Sequence, residues 1–202
     1  MIRHRPAESL LTLPENEPVV IRPLRPRDRT GYRLAFARTS RRTRIDRFFR
    51  SVDRLSEAQV RYFTDVDMDR HVALCAISRK TPVAAGIAVG RFIRNEENPR
   101  RAEFAITVID DYHSKGLGRA LLTRLASMAR DRGVDTLWAQ VLSENIRVLD
   151  WMKRLGAQRR FLGESVRCEL AVAELLEHLG SPNHPDESLL EKNLAAAGRS
   201  QP

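Results

Sequence analysis

The sequence predicts a mixed α/β fold in which a central, mostly antiparallel sheet is flanked by helices. The middle of the chain, 71–109, contains three β-rich runs separated by turns, which is typical of an antiparallel meander. After it, strand-like and helical segments alternate and end in a hairpin, a pattern typical of mixed α/β proteins. With 202 residues, of which 42% are hydrophobic and 30% charged, the chain is long enough to bury one core.

The N-terminal third is predicted to be a leader followed by one strand and a helical region. Residues 1–18 are interrupted by two prolines, and the apolar run 19–24 suggests the first strand. Apolar residues recur at helical spacing over 27–49, with arginines between them. A Ser-x-x-Gln capping box then opens a further helix over 56–64.

The three strands of the meander are predicted over 71–77, 82–93 and 102–109. The last of them alternates strictly, so that Glu103 and Phe104 point to opposite faces of the sheet. We therefore expect one face of this strand to be apolar and the other to be more polar.

The second half of the chain is predicted to alternate between helices and strands. A long amphipathic helix follows Gly118 and is closed by Gly133. The predicted elements after it are a strand over 134–142, a helix over 145–155, and hairpin strands over 158–162 and 165–172. We place the folded domain at 19–173 and a partly helical or flexible extension at 174–202, with a short Leu/Ala helix after Ser188.

The chain carries a formal net charge of +9, and the excess is concentrated in one stretch. Residues 22–61 contain thirteen arginines and four acidic residues. A nucleic acid, an anionic membrane and an anionic small molecule are all compatible with such a charge. A basic helix face that is merely solvated remains an equal alternative.

The cysteines and the N-terminus indicate a cytoplasmic protein without a metal. Cys75 and Cys168 form no CxxC pair and no Cys/His spacing suited to zinc, so neither a disulfide framework nor a metal site is expected. The N-terminus lacks the apolar segment of a signal peptide, and no apolar run approaches the roughly 20 residues that cross a bilayer. We therefore expect no membrane partner.

The strongest local motif is 110–119, Asp-Asp-Tyr-His-Ser-Lys-Gly-Leu-Gly-Arg, between a predicted strand and the long helix. Gly116 and Gly118 let the backbone approach a ligand, and the free N–H groups of a helix start form an anion site. Lys115 and Arg119 add positive charge beside it. The motif lacks the GxxxxGK[ST] of a P-loop and the third glycine of a dinucleotide fingerprint. Tight packing alone is the alternative explanation.

Three segments in this order resemble successive motifs of the GCN5-related N-acetyltransferase (GNAT) family. They are 103–108, the loop His113-x-x-Gly116-x-Gly118, and the helix 145–157, which reads Asn-Ile-Arg-Val-Leu-Asp-Trp-Met-Lys-Arg-Leu-Gly-Ala. The family's loop is Q/R-x-x-G-x-G/A and its helix commonly reads N-x-x-A-x-x-x-Y-x-x-x-G-F. The Ala-Glu-Phe-Ala before the loop resembles bacterial protein lysine acetyltransferases. The resemblance implies the GNAT fold and an acetyltransferase that uses acetyl-CoA.

The resemblance also implies a cofactor-binding site along the predicted third strand of the meander and the loop after it. The backbone of this strand would pair with the pantetheine arm at Ile106, Thr107 and Val108. The loop would hold the pyrophosphate mainly through backbone amides, at His113, Ser114, Lys115, Gly116, Leu117, Gly118 and Arg119. Asn145 would reach the pantetheine, and capping of its own helix is the alternative role for this side chain.

Glu103 is the candidate general base, because an amine must lose a proton before it can attack a thioester. Glutamate acts as base at this position in many members of the family that the chain resembles. The alternative is an exposed strand glutamate paired with an arginine such as Arg101. The family's usual tyrosine, which protonates the departing thiolate, is replaced here by Met152, and Tyr112 is expected to be a packing residue.

Three interpretations of the function remain open from the sequence. The first is acetyl transfer to a protein lysine, with the arginines facing an acidic protein such as an acyl-CoA synthetase. The second keeps the reaction but uses a small amine or amino-acid derivative. The third is an acyl-CoA-sensing or nucleic-acid-binding module without turnover, although the aromatic residues near the arginines have core-like spacing rather than that of a stacking platform. Nucleic acid is therefore the less favoured partner.

Overall fold

The computed structural model describes residues 8–80 and 85–180, within which eight strands form one sheet. The strands are β1 (Ser9–Leu13), β2 (Glu17–Pro23), β3 (His71–Ser78), β4 (Ala85–Arg94), β5 (Arg101–Val108), β6 (Thr136–Leu142), β7 (Gln158–Phe161) and β8 (Ser165–Ala171). Their spatial order is β1-β2-β3-β4-β5-β6-β8-β7, and β5 and β6 are the parallel neighbours. The fold is therefore the predicted mixed α/β type with a mostly antiparallel sheet.

Helices cover both faces of this sheet. They are α1 (Arg29–Ala37), α2 (Arg41–Phe48), α3 (Glu57–Thr64), α4 (Leu117–Arg130), α5 (Ile146–Arg154) and α6 (Val172–Gly180). The apolar stripe of α4 packs over β3, β4 and β5, where Leu125 lies against Gly90. On the opposite face, α1 packs against β4 and α2 against β5. The main core lies under α4, and a smaller cluster around Ala73 and Cys75 lies under α1.

The predicted helical region 27–49 is two helices rather than one. Between them Thr39 is buried, and Ser40 adopts an extended backbone and caps α2 by accepting a hydrogen bond from the Thr43 backbone N–H. Phe49 ends α2 in the left-handed region, with φ at 59°. The helical spacing of the sequence persists across the break, which is why the pattern alone did not reveal it.

Both predicted domain boundaries differ from the structure. Five residues of the predicted leader form β1, which pairs antiparallel with β2 at the sheet edge. At the other end, Leu175 and Leu179 of α6 are buried and this helix packs against α4, so the sheet and its helices extend to Gly180. The short helix predicted after Ser188 lies outside the described residues.

The sheet divides at the junction of β5 and β6. These strands pair only where 101–103 lies beside 136–138, and Glu103 opposite Trp138 is the last pair. Beyond it β5 remains paired with β4, and β6 with β8, so a wedge-shaped gap opens between the two halves.

None of the described helices is sufficiently long and apolar to cross a membrane. No three metal-binding side chains converge in this part of the chain.

Candidate active site

One edge of β5 faces the gap without a strand beside it. The backbone N–H of Ile109 donates to the Ile87 carbonyl on β4, at 3.0 Å. Because alternate residues of a strand direct their backbone groups to opposite sides, Ile106 and Val108 direct theirs away from β4 and into the gap. An extended ligand lying in the gap would therefore find the hydrogen-bonding pattern of a strand edge.

The gap opens into a cavity of about 900 Å³, and every site residue predicted from the sequence lines it. Its lining includes the predicted base, the strand edge, the loop and the start of α5: Glu103, Ile106, Thr107, Val108, His113, Ser114, Lys115, Gly116, Leu117, Gly118, Arg119 and Asn145. Residues of β1, α2, β6 and α6 also line it, and sequence reasoning did not assign these. The lining residues extend from Glu103 to the loop, which suits a long cofactor.

The loop between β5 and α4 presents backbone N–H groups at a helix start. Ser114 and Gly116 both have positive φ, at 60° and 83°, and Gly116 is the N-cap of α4. The positive φ of Gly116 favours glycine, since other residues adopt this region only with strain. Because no side chain caps this helix end, its first N–H groups remain available to an anion.

The side chains of Arg119 and Lys115, which were expected to add positive charge beside the helix start, contact other groups of the protein. The guanidinium of Arg119 turns away and donates through Nη2 to the Leu179 carbonyl of α6, at 2.7 Å. Lys115 Nζ lies 4.7 Å from the centre of the Tyr112 ring. His113 donates through Nε2 to the Val108 carbonyl at 2.9 Å, since a carbonyl can only accept, and so closes one position of the gap edge. The anion site thus depends mainly on backbone amides.

Asn145 occupies the N-cap position of α5. Its side-chain oxygen accepts a hydrogen bond from the Val148 backbone N–H at 3.2 Å. This is the capping role considered as an alternative in the sequence analysis, and the same residue also lines the cavity. The contact with pantetheine stays a prediction.

Asp110 connects the loop to the start of α2, a link that the sequence did not indicate. One carboxylate oxygen accepts from the Ser40 backbone N–H at 2.7 Å, and the other accepts from the hydroxyls of Ser40 at 2.7 Å and Thr43 at 3.0 Å. Burial alone would raise the pKa of Asp110, but these hydrogen bonds lower it below its ordinary value. The loop and α2 are therefore fixed to one another.

Glu17 anchors the other side of the loop. This buried carboxylate accepts hydrogen bonds from the hydroxyls of Ser78 and Tyr112, the latter at 2.7 Å. Burial would raise the pKa of Glu17, but the two hydrogen bonds lower it, while burial and Glu17 together raise the pKa of Tyr112. The Tyr112 hydroxyl is thus engaged as a structural donor, consistent with the packing role predicted for it.

Glu103 projects from β5 as an exposed side chain at the closed end of the gap. Arg101, considered above as its partner, instead pairs with Glu169 at 2.6 Å. Among the described residues Glu103 has no ion pair. Arg47 of α2 lines the same cavity, and burial lowers the pKa of this arginine while the charge of Glu103 acts to raise it. The role of Glu103 as a base stays a prediction.

No tyrosine takes the place of Met152 among the described cavity residues near Glu103. Met152 is buried, with 1% of its surface exposed, and Trp151 beside it contacts Gly118 of the loop. Met152 has no proton to donate. A departing thiolate, with an ordinary pKa near ~8.5, would therefore receive no proton from this side chain.

A buried arginine and a histidine lie beside the site on the same face as Glu103. Arg91, 2% exposed, donates to the carbonyl of Phe63 at 3.2 Å and to the hydroxyl of Tyr32 at 3.2 Å. It also donates to Nε2 of His71 at 3.0 Å, so this nitrogen of the ring is an acceptor. Burial and the Arg91 charge lower the pKa of His71 to about 4, although Asp67 opposes the shift.

We expect the free energy of unfolding to fall as the pH decreases from 6.5 towards 4. In this window the unfolded chain protonates His71 at its ordinary pKa of 6.5, whereas the folded chain resists until about 4. Urea unfolding of the wild-type chain and of His71→Gln, which keeps an acceptor but does not titrate, would measure this contribution. Parallel pH profiles for the two proteins would contradict it.

Comparison with known proteins identifies relatives of this site and fold. The family model described as an acetyltransferase (GNAT) domain matches residues 19–158. Acetyltransferase Pat of Mycolicibacterium smegmatis is 35% identical over 111 residues, which are 55% of this chain and 33% of that protein. Acetyltransferase PA5475 of Pseudomonas aeruginosa is 28% identical over 145 residues, 72% of this chain and 77% of that protein. The matched segment thus spans only a third of the length of Pat.

The structural comparison extends over most of the domain. The crystal structure of the GNAT domain of S. lividans PAT superposes with a TM-score of 0.75 at 27% identity, covering 85% of this chain and 99% of that one. The agreement therefore covers most of this chain and nearly all of the compared domain.

Proposed function

Because the chain belongs to the GNAT acetyltransferase family, we propose that it transfers the acetyl group of acetyl-CoA to the ε-amino group of a protein lysine. The observation that carries this proposal is a single cavity in which a strand edge without a strand partner, an open helix start and a carboxylate without an ion pair lie together. Each of these features matches one requirement of the reaction: an extended amide-containing arm, a diphosphate and a base.

Residues along β5 and in the loop after it would have separate roles in the reaction. The gap-facing backbone groups of Ile106 and the N–H of Val108, whose carbonyl already accepts from His113, would pair with the pantetheine amides. The N–H groups from Gly116 onwards would hold the pyrophosphate. Glu103 at the closed end would accept the proton of the acceptor ammonium, directly or through a water. The neutral amine then forms a bond to the thioester carbonyl carbon, the nitrogen releases its second proton to water, the C–S bond breaks, and coenzyme A leaves as a thiolate that takes up a proton from the solvent.

Exposed arginines on and after α2, the helix that packs against β5, support a protein acceptor with acidic groups near its lysine. Arg41, Arg50 and Arg54 are exposed and form no ion pair with the described residues. Two other arginines of α2 are occupied: Arg42 pairs with Asp46 and Glu144, and Arg44 donates to Thr39, Ala37 and Asp53. The basic surface available to a partner is therefore smaller than the number of arginines in the sequence suggests.

We also propose that the protein is located in the cytoplasm.

An acyl-transfer assay with matched lysine peptides tests this function. We expect coenzyme A release with acetyl-CoA and a lysine peptide flanked by acidic residues. The rate should be several-fold to about tenfold higher than with basic flanks, since each exposed charge pair contributes at most ~1 kcal/mol. The difference should shrink in high salt because exposed charges are screened.

Two outcomes of this assay would contradict the proposal in different ways. Turnover with small amines but with no lysine peptide would replace the protein acceptor by a small molecule. Absence of turnover with every acceptor, together with salt-sensitive DNA binding, would contradict the enzyme itself.

A further inference from the structure

A second, smaller cavity lies between the sheet and the helices α1 and α2. Its volume is about 300 Å³. Apolar and aromatic side chains form most of its wall, among them Tyr32, Phe36, Phe48, Ile77 and Val89. It is therefore suited to an apolar group rather than to a hydrated one.

The charged residues around this cavity are largely engaged with one another. Arg22 and Asp28 form a pair with two hydrogen bonds of 2.7 Å, and the guanidinium of Arg44 donates to α1 and to Thr39 while stacking 4.7 Å from the ring of Phe36. Their polar groups are thus satisfied without a ligand. Arg47 also lines the cavity and has no hydrogen bond or ion pair among the described residues, so an apolar occupant would lie away from its guanidinium.

The two cavities meet at a boundary that three side chains share. Thr43, Arg47 and Thr107 line both of them. Thr107 follows Ile106 on β5, and its side chain lies on the same face as Glu103. The small cavity therefore adjoins the stretch of the gap between the loop and the base, through which the arm of a thioester cofactor would run to its acyl end.

We propose that this second cavity receives the hydrocarbon chain of acyl-CoA thioesters longer than acetyl, such as propionyl and butyryl. The inference rests on the proposed function, since it places an acyl-CoA in the gap. An acceptor side chain is the competing occupant. The competing assignment is disfavoured because the boundary shared with the gap includes Thr107, which lies between Glu103 and the loop, on the side where the cofactor is expected.

Calorimetric titration of the full chain with acetyl-, propionyl- and butyryl-CoA tests the proposal without requiring turnover. Each methylene group buried in the cavity should lower Kd by about fourfold, so that butyryl-CoA binds roughly 15-fold more tightly than acetyl-CoA. Equal or weaker binding with increasing chain length would overturn the proposal. Loss of acetyl transfer in the assay above, with this binding trend intact, would instead contradict only the proposed function.

Substitution of Gly31 tests whether the small cavity causes the tighter binding of longer acyl-CoA thioesters. This glycine of α1 lines the small cavity, and a Cβ atom added there meets no other heavy atom within 4 Å. Gly31→Leu should therefore fill the cavity, and the helix should tolerate it because leucine favours helix more than glycine does. The ratio of the acetyl-CoA Kd to the butyryl-CoA Kd should fall from roughly 15 to about 1, with Gly31→Ala intermediate.

A matched control adds leucine to the same helix outside the cavity. Ala37 is exposed and does not line the wall, so Ala37→Leu should keep the wild-type ratio. If Gly31→Leu leaves this ratio unchanged and instead raises the KM of the amine acceptor, the cavity belongs to the acceptor and the proposal is wrong.

Discussion

Replacing Glu103 with glutamine is expected to lower kcat by about 10² to 10⁴, the range contributed by a general base. Glutamine keeps the size of the side chain and its position at the closed end of the gap, but it cannot take the proton of an ammonium ion. Since the side chain is exposed and has no ion pair among the described residues, the fold should not change. The Kd of acetyl-CoA should also be kept, because the predicted cofactor contacts lie further along β5.

Steady-state kinetics and calorimetric titration of the same preparation measure both quantities. Glu97→Gln is the matched control, since this residue is exposed in the turn before β5 and lies outside the cavity lining. A kcat equal to that of the control would show that Glu103 is only an exposed strand residue.

A carboxylate placed in the loop should weaken acetyl-CoA binding by about 100-fold. In Gly118→Asp the new charge would lie near the expected pyrophosphate. Two like charges about 6 Å apart repel by about 3 kcal/mol at an effective dielectric constant near ~20. The fold should tolerate the change, because a Cβ atom at this position meets Trp151 at an ordinary 3.9 Å. An acidic residue in the first turn of a helix is also favourable.

Gly118→Asn separates charge from size in this experiment. Asparagine fills the same space without the negative charge, so the affinities of the two variants differ by the electrostatic contribution alone. Comparable acetyl-CoA Kd values for the two variants would argue against an anion at this helix start. Thermal unfolding of both variants checks that the fold is intact.

The parts of the site that could be predicted are those encoded within short stretches of sequence. The loop glycines and the alternation around Glu103 are local patterns, and each has a direct backbone consequence. The anchors of the loop are not local: Asp110 binds Ser40 from 70 positions away, and Tyr112 binds Glu17 from 95 positions away. A single sequence contains no signal that joins such pairs, because their proximity results from the complete sheet.

The errors at the ends of the fold have a similar origin. β1 is a five-residue edge strand bounded by a proline turn, which is too short for a clear alternation. The direction of the Arg119 side chain depended on α6, which was expected to belong to an extension. In both cases the missing information was the tertiary partner.

The division of the sheet at Glu103 has a consequence for how this site tolerates mutation. Two of the three features that the reaction needs, the strand edge and the helix start, consist of peptide groups that every residue type except proline supplies. Side-chain identity therefore matters at few positions, mainly at the proposed base Glu103 and at Gly116, which has a positive φ. Substitutions such as histidine at position 113 can accumulate around such a site, so function can persist after most of its sequence signature has been lost.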